Sequence, residues 1–300
     1  MSNVFAKIEY ASYERTHKDD YLGLLEEAWR DDAMSRAEFE WWFERNPAGS
    51  LMSVARTNRR VVGVAAHSLY RAVLEREEQL VSFSVHATTH ASARGRGVFQ
   101  ELERKHEREA QERGVACVLA FASAPTAPLF LGPLGWTEVG RLRIWARPLL
   151  RPGAQSTSQQ TVAKFDSHGD AAADWPNHLV RDAQYLNWRY LESPRDYVAV
   201  QRGNEYAVLG HKVHKGRKIA LVADLVARRP RALLRECARR VRPGTRLLFA
   251  LPAPDQRAAF AAAGFAPTPM TLHFLGKPLA GKLNPDPRAW RFTLGDTDFF

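Results

Sequence analysis

The sequence predicts a mixed α/β fold of the α+β kind, laid out twice along the chain. Three observations predict it. Runs with helical spacing are interleaved with alternating, strand-like runs. Residues 186–214 repeat the pattern of 40–70. A stretch rich in Pro, Gly, Ser, Thr and Gln, "RPGAQSTSQQT" (151–161), separates the two copies as a linker.

The repeat is specific. "EWWFERNPAGSLMSVARTNRRVVGVAAHSLY" aligns with "LNWRYLESPRDYVAVQRGNEYAVLGHKVH", pairing Trp42 with Trp188, Pro47 with Pro194 and Asn58 with Asn204. Further on, "GWTEVGRLRIWARPL" (135–149) resembles "GFAPTPMTLHFLGKPL" (264–279). The spacing is 146 residues at Trp42/Trp188 and 129 at Gly135/Gly264, so the second copy is shorter by about 17 residues. A repeat of this length means a duplicated domain rather than a solenoid. The expected division is a domain over 1–150, the linker, a second domain over 162–280 and a tail over 281–300.

In the first copy, helices are expected over about 18–30 and 35–45, the second being aromatic-rich and ending near Pro47. Strands near 51–56 and 61–70 form a hairpin turning at "RTNRR". Strand 79–89 alternates, placing Val81, Phe83, Val85 and Ala87 on a core face. Leu80, Ser82, Ser84, His86 and Thr88 take the other face. Helix 97–113 carries Val98, Phe99, Leu102, His106 and Ala110 at helical spacing, and Gly114 stops it at a position suited to left-handed geometry. A strand at 115–122, a short helix near 125–132 and strands from 136 to 148 complete the copy. In the second copy, "RPRALLRECARRV" sets Leu233, Leu234, Cys237 and Val241 on one helical face.

The 300 residues are 45% hydrophobic and 25% charged, enough for one large domain or two ordinary ones. The net charge of +10 is scattered, which argues against a nucleic-acid-binding arm and suits a phosphate-bearing small ligand. No apolar leader or membrane-length stretch is visible. The two cysteines, Cys117 and Cys237, fall at apolar positions of their elements, so a reducing, cytoplasmic setting is expected.

The chemistry concentrates at "ARGRGVF" (93–99), between strand and helix. Unpaired N–H groups at the helix start, its dipole, two glycines without Cβ atoms, and Arg94 and Arg96 together describe a phosphate or pyrophosphate site. A basic turn with left-handed glycines is the plainer reading. The P-loop pattern is absent, and the dinucleotide fingerprint lacks its third glycine at Gln100.

This loop resembles the acyl-CoA loop of the GNAT superfamily of N-acetyltransferases, Q/R-x-x-G-x-G/A. Arg94 fills the first position and Gly97 the fourth, while Phe99 departs from the sixth. His90 matches a frequent upstream histidine, and "LGW" (134–136) stands where the family has "LGF". The resemblance spans roughly 10–148, with a degenerate version over 180–280. It implies two tandem GNAT-like domains, each a mixed, mostly antiparallel twisted sheet flanked by helices. It also implies acetyl-CoA or another acyl-CoA as co-substrate. The amides of Arg96, Gly97, Val98 and Phe99 would face the pyrophosphate, with Arg94 and Gly95 beside them. Thr88, Thr89 and His90 would pair with the pantetheine arm, near Ser123. In the second copy the matching junction, "VADLVARRPRALL", has no glycine, and Pro230 removes a donor.

The resemblance further implies direct acyl transfer to a primary amine, of a small molecule or a peptide, in a ternary complex. The family's usual acid, a tyrosine, is replaced by Leu131. His86 and Ser84 are the candidate catalytic residues, His86 as base, with His67 on the neighbouring strand a second candidate. Phe39, Trp41, Trp42 and Phe43 either line an acceptor pocket or pack the core. The tail "WRFTLGDTDFF" offers Asp296 and Asp298, either to a cationic acceptor or as solvated acids on a packed segment. No metal constellation and no nucleophile elbow stand out. An aminoacyl-tRNA-dependent transferase and a non-catalytic acyl-CoA-binding or partner-binding protein remain alternatives. Oligomeric state is not readable.

Overall fold

A computed structural model describes residues 7–58, 60–149, 162–166, 176–203, 205–214 and 216–297. The expected linker at 151–161, Asn204 and Asp298 lie outside the described residues. The elements of the first copy run β1 (Glu9–Ser12), α1 (Lys18–Trp29), α2 (Arg36–Phe39), β2 (Ser50–Thr57), β3 (Arg60–Leu74), β4 (Glu77–Thr89), α3 (Val98–Glu112), β5 (Cys117–Ala122), α4 (Ala127–Leu131) and β6 (Thr137–Pro148). Those of the second are β7 (Asn177–Leu179), α5 (Ala183–Leu186), β8 (Asp196–Arg202), β9 (Glu205–His214), β10 (Arg217–Val226), α6 (Arg231–Arg240), β11 (Leu247–Ala250), α7 (Arg257–Ala262), β12 (Ala266–Pro278) and β13 (Trp290–Arg291).

Two compact units form, and each draws on separated stretches of chain. The first is 1–70 and 79–138 with 275–283; the second is 71–78 and 139–274 with 284–300. In the first, β1, β2, β3, β4 and β5 lie in that order. β1/β2 and β2/β3 are antiparallel, whereas β4/β5 is parallel, as a crossover through α3 demands. The segment after β12 closes this unit: the N–H groups of Leu279 and Ala280 donate to the Ala116 carbonyl at 2.9 and 3.2 Å. Its core lies between α3 and the sheet (Ala55, Val62, Ala65, Val98, Leu102) and around β5 and α4 (Val118, Ala120, Phe130, Trp136).

In the second unit the order is β6, β11, β10, β9, β8. The β10/β11 pair is parallel, and β6/β11, β10/β9 and β8/β9 are antiparallel. The expected apolar face of α6 is buried: Leu233, Leu234, Cys237 and Val241 are at most 3% exposed. Each fold is thus a mixed, mostly antiparallel sheet with helices, as expected.

The repeat is visible at single-residue level, with one correction. Ser35 caps α2 by accepting the Glu38 N–H, and Asp182 caps α5 by accepting the Tyr185 N–H. Both helices then continue as a π-helical turn, Glu40–Glu44 and Asn187–Leu191. The caps are 147 residues apart (Asp182 less Ser35), one more than the tryptophan match. Trp41, not Trp42, therefore answers to Trp188. Phe39, Trp41, Trp42 and Phe43 are at most 4% exposed, so they pack the core rather than line an open pocket.

Candidate active site

The site begins with a failure of two strands to stay together. β4 pairs with β5 at Val81↔Cys117, Ser82↔Val118 and Phe83↔Leu119. Beyond Phe83, β4 runs on to Thr89 without pairing to β5 among the described residues. Within that stretch His86 has φ = +49°, a left-handed conformation that costs a non-glycine residue about 1–2 kcal/mol. The kink breaks the expected alternation. Ser82 and Ser84 do point toward α3, bonding His67 and Glu103. His86 leaves that face: its ring meets Trp29, Trp42 and Phe43 edge-on at 5.8–5.9 Å. Ala87, expected on the opposite face, packs instead against the cluster that holds Val98 and Leu102 of α3.

The glycine loop follows. Gly95 and Gly97 have φ of +73° and +74°, with open space where a Cβ would stand. Gly97 is the N-cap of α3, and the first intrahelical bond runs from the Glu101 N–H to the Gly97 carbonyl at 3.0 Å. The N–H groups of Val98, Phe99 and Gln100 precede that bond and have no intrahelical acceptor. Arg94 is exposed, its Nε donating to the Thr89 carbonyl at 3.2 Å. Glu101, the acid in this first turn, is bonded to Arg104.

Gly63 on β3 sets how closely α3 approaches. A Cβ there would lie 2.4 Å from Val98 Cγ1. Phe99, the departure from the family loop, has a packing reason: it stacks edge-on against Phe130 of α4 at 5.1 Å. Leu131 is half-buried against the same cluster.

The remaining candidates separate. His90 caps the turn after β4, its Nδ1 accepting the Ser92 N–H at 3.1 Å, and its own N–H is committed to the Val62 carbonyl at 2.9 Å. Thr88 and Thr89 are half-buried along the opened part of β4. Ser123, just past β5, shares a 2.7 Å hydrogen bond with Thr126. His67 is fully buried and cannot touch an acceptor.

Beneath this surface lies a polar core that the helical pattern did not separate from apolar positions. Glu103, His106 and Glu107 of α3 are all buried. His67 Nε2 lies 2.9 Å from Glu103, its Nδ1 lies 2.8 Å from Ser82 Oγ, and Ser84 Oγ donates to Glu103 at 3.0 Å. His106 Nε2 meets Ser53 Oγ at 2.9 Å, and its ring lies 4.7 Å from that of His67. His67, Glu103 and His106 gather their donor atoms within 4.8 Å, a set that residues 36 and 39 positions apart do not advertise in sequence. Burial, with His67 and Lys105 nearby, pushes His106 well below its ordinary pKa of 6.5. Glu107 accepts from Trp136 Nε1 at 2.7 Å and pairs with Lys277 at 2.6 Å. Burial also pushes the thiols of Cys117 and Cys237 up to about 12, so neither is a ready nucleophile.

The second unit has the same opening, but filled. β10 pairs with β11 only at Ala220↔Leu248 and Leu221↔Phe249, and its register with β9 shifts between Val222 and Asp224. The C-terminal segment lies there. Arg291 donates to the Leu225 carbonyl at 2.9 Å. Gly295 passes so close to Ala223 that a Cβ would come 2.7 Å from its carbonyl. The cavity left between Val222, Ala250 and Phe292 is about 10 Å³, too small for any cofactor arm. Asp296 is 7% exposed and pairs with Arg181 at 2.7 Å, and Arg181 also pairs with Asp224 at 3.0 Å. Desolvation works to lower the Arg181 pKa, but the two carboxylates outweigh it and hold the guanidinium well above its usual range. Asp296 is therefore neither a solvated acid nor free to meet a cationic acceptor.

Residues 9–139 match the acetyltransferase (GNAT) domain family. No curated protein matches the chain in sequence. Among solved structures, the fold is similar to N-myristoyltransferase from Saccharomyces cerevisiae with bound myristoyl-CoA and inhibitors. That pair is 11% identical with a TM-score of 0.68, covering 94% of this chain and 84% of the other. It is also similar to a GCN5-related N-acetyltransferase from Kribbella flavida (15% identity, TM-score 0.61, 93% and 73% covered). A probable N-acyltransferase from Enterococcus faecalis V583 is a third (8% identity, TM-score 0.61, 92% and 73% covered). Residues 9–139 thus match the acetyltransferase (GNAT) domain family, and the fold is that of these N-acyltransferase structures.

Proposed function

We propose that the protein is an acetyl-CoA-dependent N-acetyltransferase that moves the acyl group directly to a primary amine in a ternary complex. One observation carries this reading: β4 and β5 part after Phe83↔Leu119, beside a helix start capped by left-handed Gly97. The amides of Val98, Phe99 and Gln100 would hold the pyrophosphate with the positive end of the helix dipole, and Arg94 and Arg96 would add charge. The pantetheine would enter the opening and use the Thr89 N–H, leaving the thioester beside the kink at His86. Donors aimed at the thioester oxygen stabilise the charge that develops as the amine attacks.

Two further features support direct transfer. Both thiols are buried and protonated, which leaves no cysteine for a covalent acyl-enzyme. The usual acid position is Leu131, packed on apolar neighbours, so the thiolate of CoA would leave without a side-chain acid at that position.

The test is thermal shift and calorimetry with acetyl-CoA, myristoyl-CoA and CoA, followed by thiol release across a panel of small and peptide amines. Acetyl-CoA binding with amine-dependent thiol release is expected. Preference for the long chain would move the acyl group to the class bound by the myristoyltransferase. Binding without release by any amine would make the protein a non-catalytic binder.

A further inference from the structure

We infer that Glu103, buried on α3, takes up the acceptor's proton through the hydroxyl of Ser84, with His67 holding the carboxylate in place. This rests on the acyl-transfer reading above. Ser53, His67, Ser82, Glu103 and His106 are all 0% exposed, so none can meet a substrate. Ser84 is the half-buried member of the group, and it is the first residue of β4 beyond the last β4/β5 pair. The buried network therefore reaches the opening at one hydroxyl.

The bonds run in one direction. Ser84 Oγ–H donates to Glu103 Oε1 at 3.0 Å, which leaves the Ser84 lone pairs to accept from an ammonium or a water in the opening. Glu103 Oε2 is held by His67 Nε2 at 2.9 Å, and His67 Nδ1 by Ser82 at 2.8 Å. The imidazole fixes the carboxylate rotamer while its other nitrogen is anchored on β4. A carboxylate with no exposed surface is costly unless paired and hydrogen-bonded. Here its pairing ends on the hydroxyl of half-buried Ser84, the first residue past the last β4/β5 pair.

In the step itself, an N–H proton of the acceptor ammonium passes to Ser84 Oγ as the Ser84 proton passes to Glu103 Oε1. The neutral amine then attacks the thioester carbon, and the C–S bond breaks with its electron pair on sulfur. The second N–H proton goes to the thiolate, giving free CoA. Glu103 returns its proton through Ser84 to solvent, so the net products are amide, CoA and one proton. Glu103 and His67 act through Ser84 and are positioning residues; Ser84 is the group that would touch the acceptor.

The titratable and polar groups facing Glu103 come from every element around it: His67 on β3, Ser82 and Ser84 on β4, His106 on α3 and Tyr21 on α1. The Tyr21 hydroxyl is fully buried, and desolvation followed by nearby Tyr13 and Glu103 raises its pKa. His106 stays neutral there, so a charge change at Glu103 is not cancelled by its neighbour.

The experiment measures kcat and kcat/KM against pH for wild type, Glu103→Gln, Ser84→Ala, Ser84→Thr and the double variant Glu103→Gln/Ser84→Ala. Acetyl-CoA is the donor, with the best amine from the panel. Glu103→Gln keeps the shape but reverses one of the two hydrogen bonds, because its amide NH2 donates where a carboxylate oxygen stood, and acetyl-CoA calorimetry with a melting curve checks that it folds. The expected result is a loss in kcat of about 10²-fold in each of Glu103→Gln and Ser84→Ala. Acetyl-CoA affinity should stay unchanged, the acid limb of the kcat/KM profile should vanish, and the double variant should lose no more than either single one. Ser84→Thr should recover most of the rate. Glu103→Gln with full kcat and an unchanged pH profile would overturn the inference while leaving acyl transfer intact. So would additive losses in the double variant, or a stoichiometric metal ion in the purified wild-type protein. A wild type that binds acetyl-CoA but turns over no amine would remove the parent reading, and this one with it.

Discussion

Gly63 and Val98 are 35 residues apart in sequence, yet a single methyl group on Gly63 would overlap Val98 Cγ1, at 2.4 Å. Val98 is the first residue of α3, so this contact fixes how deep the amide cup sits over the sheet. Gly63→Ala must push the start of α3 outward or force Val98 from its rotamer. Overpacking of this kind costs about 1–3 kcal/mol. The expected outcome is a lower melting temperature together with at least tenfold weaker acetyl-CoA binding, read by calorimetry. A variant with native affinity would show that the cup does not depend on this approach.

The tail is expected to act as a fixed part of the second unit. Arg181 is 2% exposed and joins Asp224 to Asp296, so Arg181→Met leaves two carboxylates buried without their counter-charge. Breaking one side of a buried pair costs about 3–5 kcal/mol. Chemical denaturation of Arg181→Met should show a loss of that size. Arg181→Met/Asp224→Asn/Asp296→Asn should recover part of it, because the uncompensated charges are gone. Loss within experimental error for the single variant would contradict the buried pairing.

Acid stability should be governed in part by His106. Its folded-state pKa is depressed by burial below the ordinary 6.5, so the unfolded chain binds the proton first as pH falls. The stability contribution is whole above pH 6.5 and is lost on descending from there through the folded pKa. Melting temperature measured from pH 8 to pH 5 should fall below that point. His106→Gln should flatten this part of the curve, whatever its stability at pH 8. An equally steep curve in the variant would assign the acid sensitivity elsewhere.

Much of this architecture is legible in the sequence because it follows local rules. The α3 spacing, the left-handed stop at Gly114 (φ +70°) and the hairpin at Asn58 (φ +45°) are properties of short stretches. So is the glycine loop, whose two left-handed positions need glycine wherever the chain folds. What escaped depends on contacts between distant stretches. Alternation could not foresee the kink at His86, since it lies where β4 leaves β5. Glu103 and Glu107 share the inward face of α3 at a four-residue spacing, but their partners His67, Trp136 and Lys277 come from other elements. Some of these contacts do leave a local mark: Gly63 in the apolar run "VVGVAA" signals a close backbone approach. Asp224 in "LVADLV" is a lone acid in a buried strand, which demands a partner. The one-residue shift in the repeat arises because Trp41 and Trp42 are adjacent; the helix caps decide between them, at the 147-residue spacing that Pro47 and Pro194 already carry in the sequence.

Acyl-CoA binding in this protein depends on the amide cup at the start of α3. Gly97 is left-handed with open space beyond it, so Gly97→Glu adds strain of about 1–2 kcal/mol and sets a carboxylate where the pyrophosphate would lie. Titration of acetyl-CoA by calorimetry into wild type and Gly97→Glu tests this directly. Wild type should bind one equivalent per chain, since the second opening is filled by the protein's own tail, and Gly97→Glu, still folded by its melting curve, should bind none. Two equivalents in the wild type, or undiminished affinity in Gly97→Glu, would contradict it.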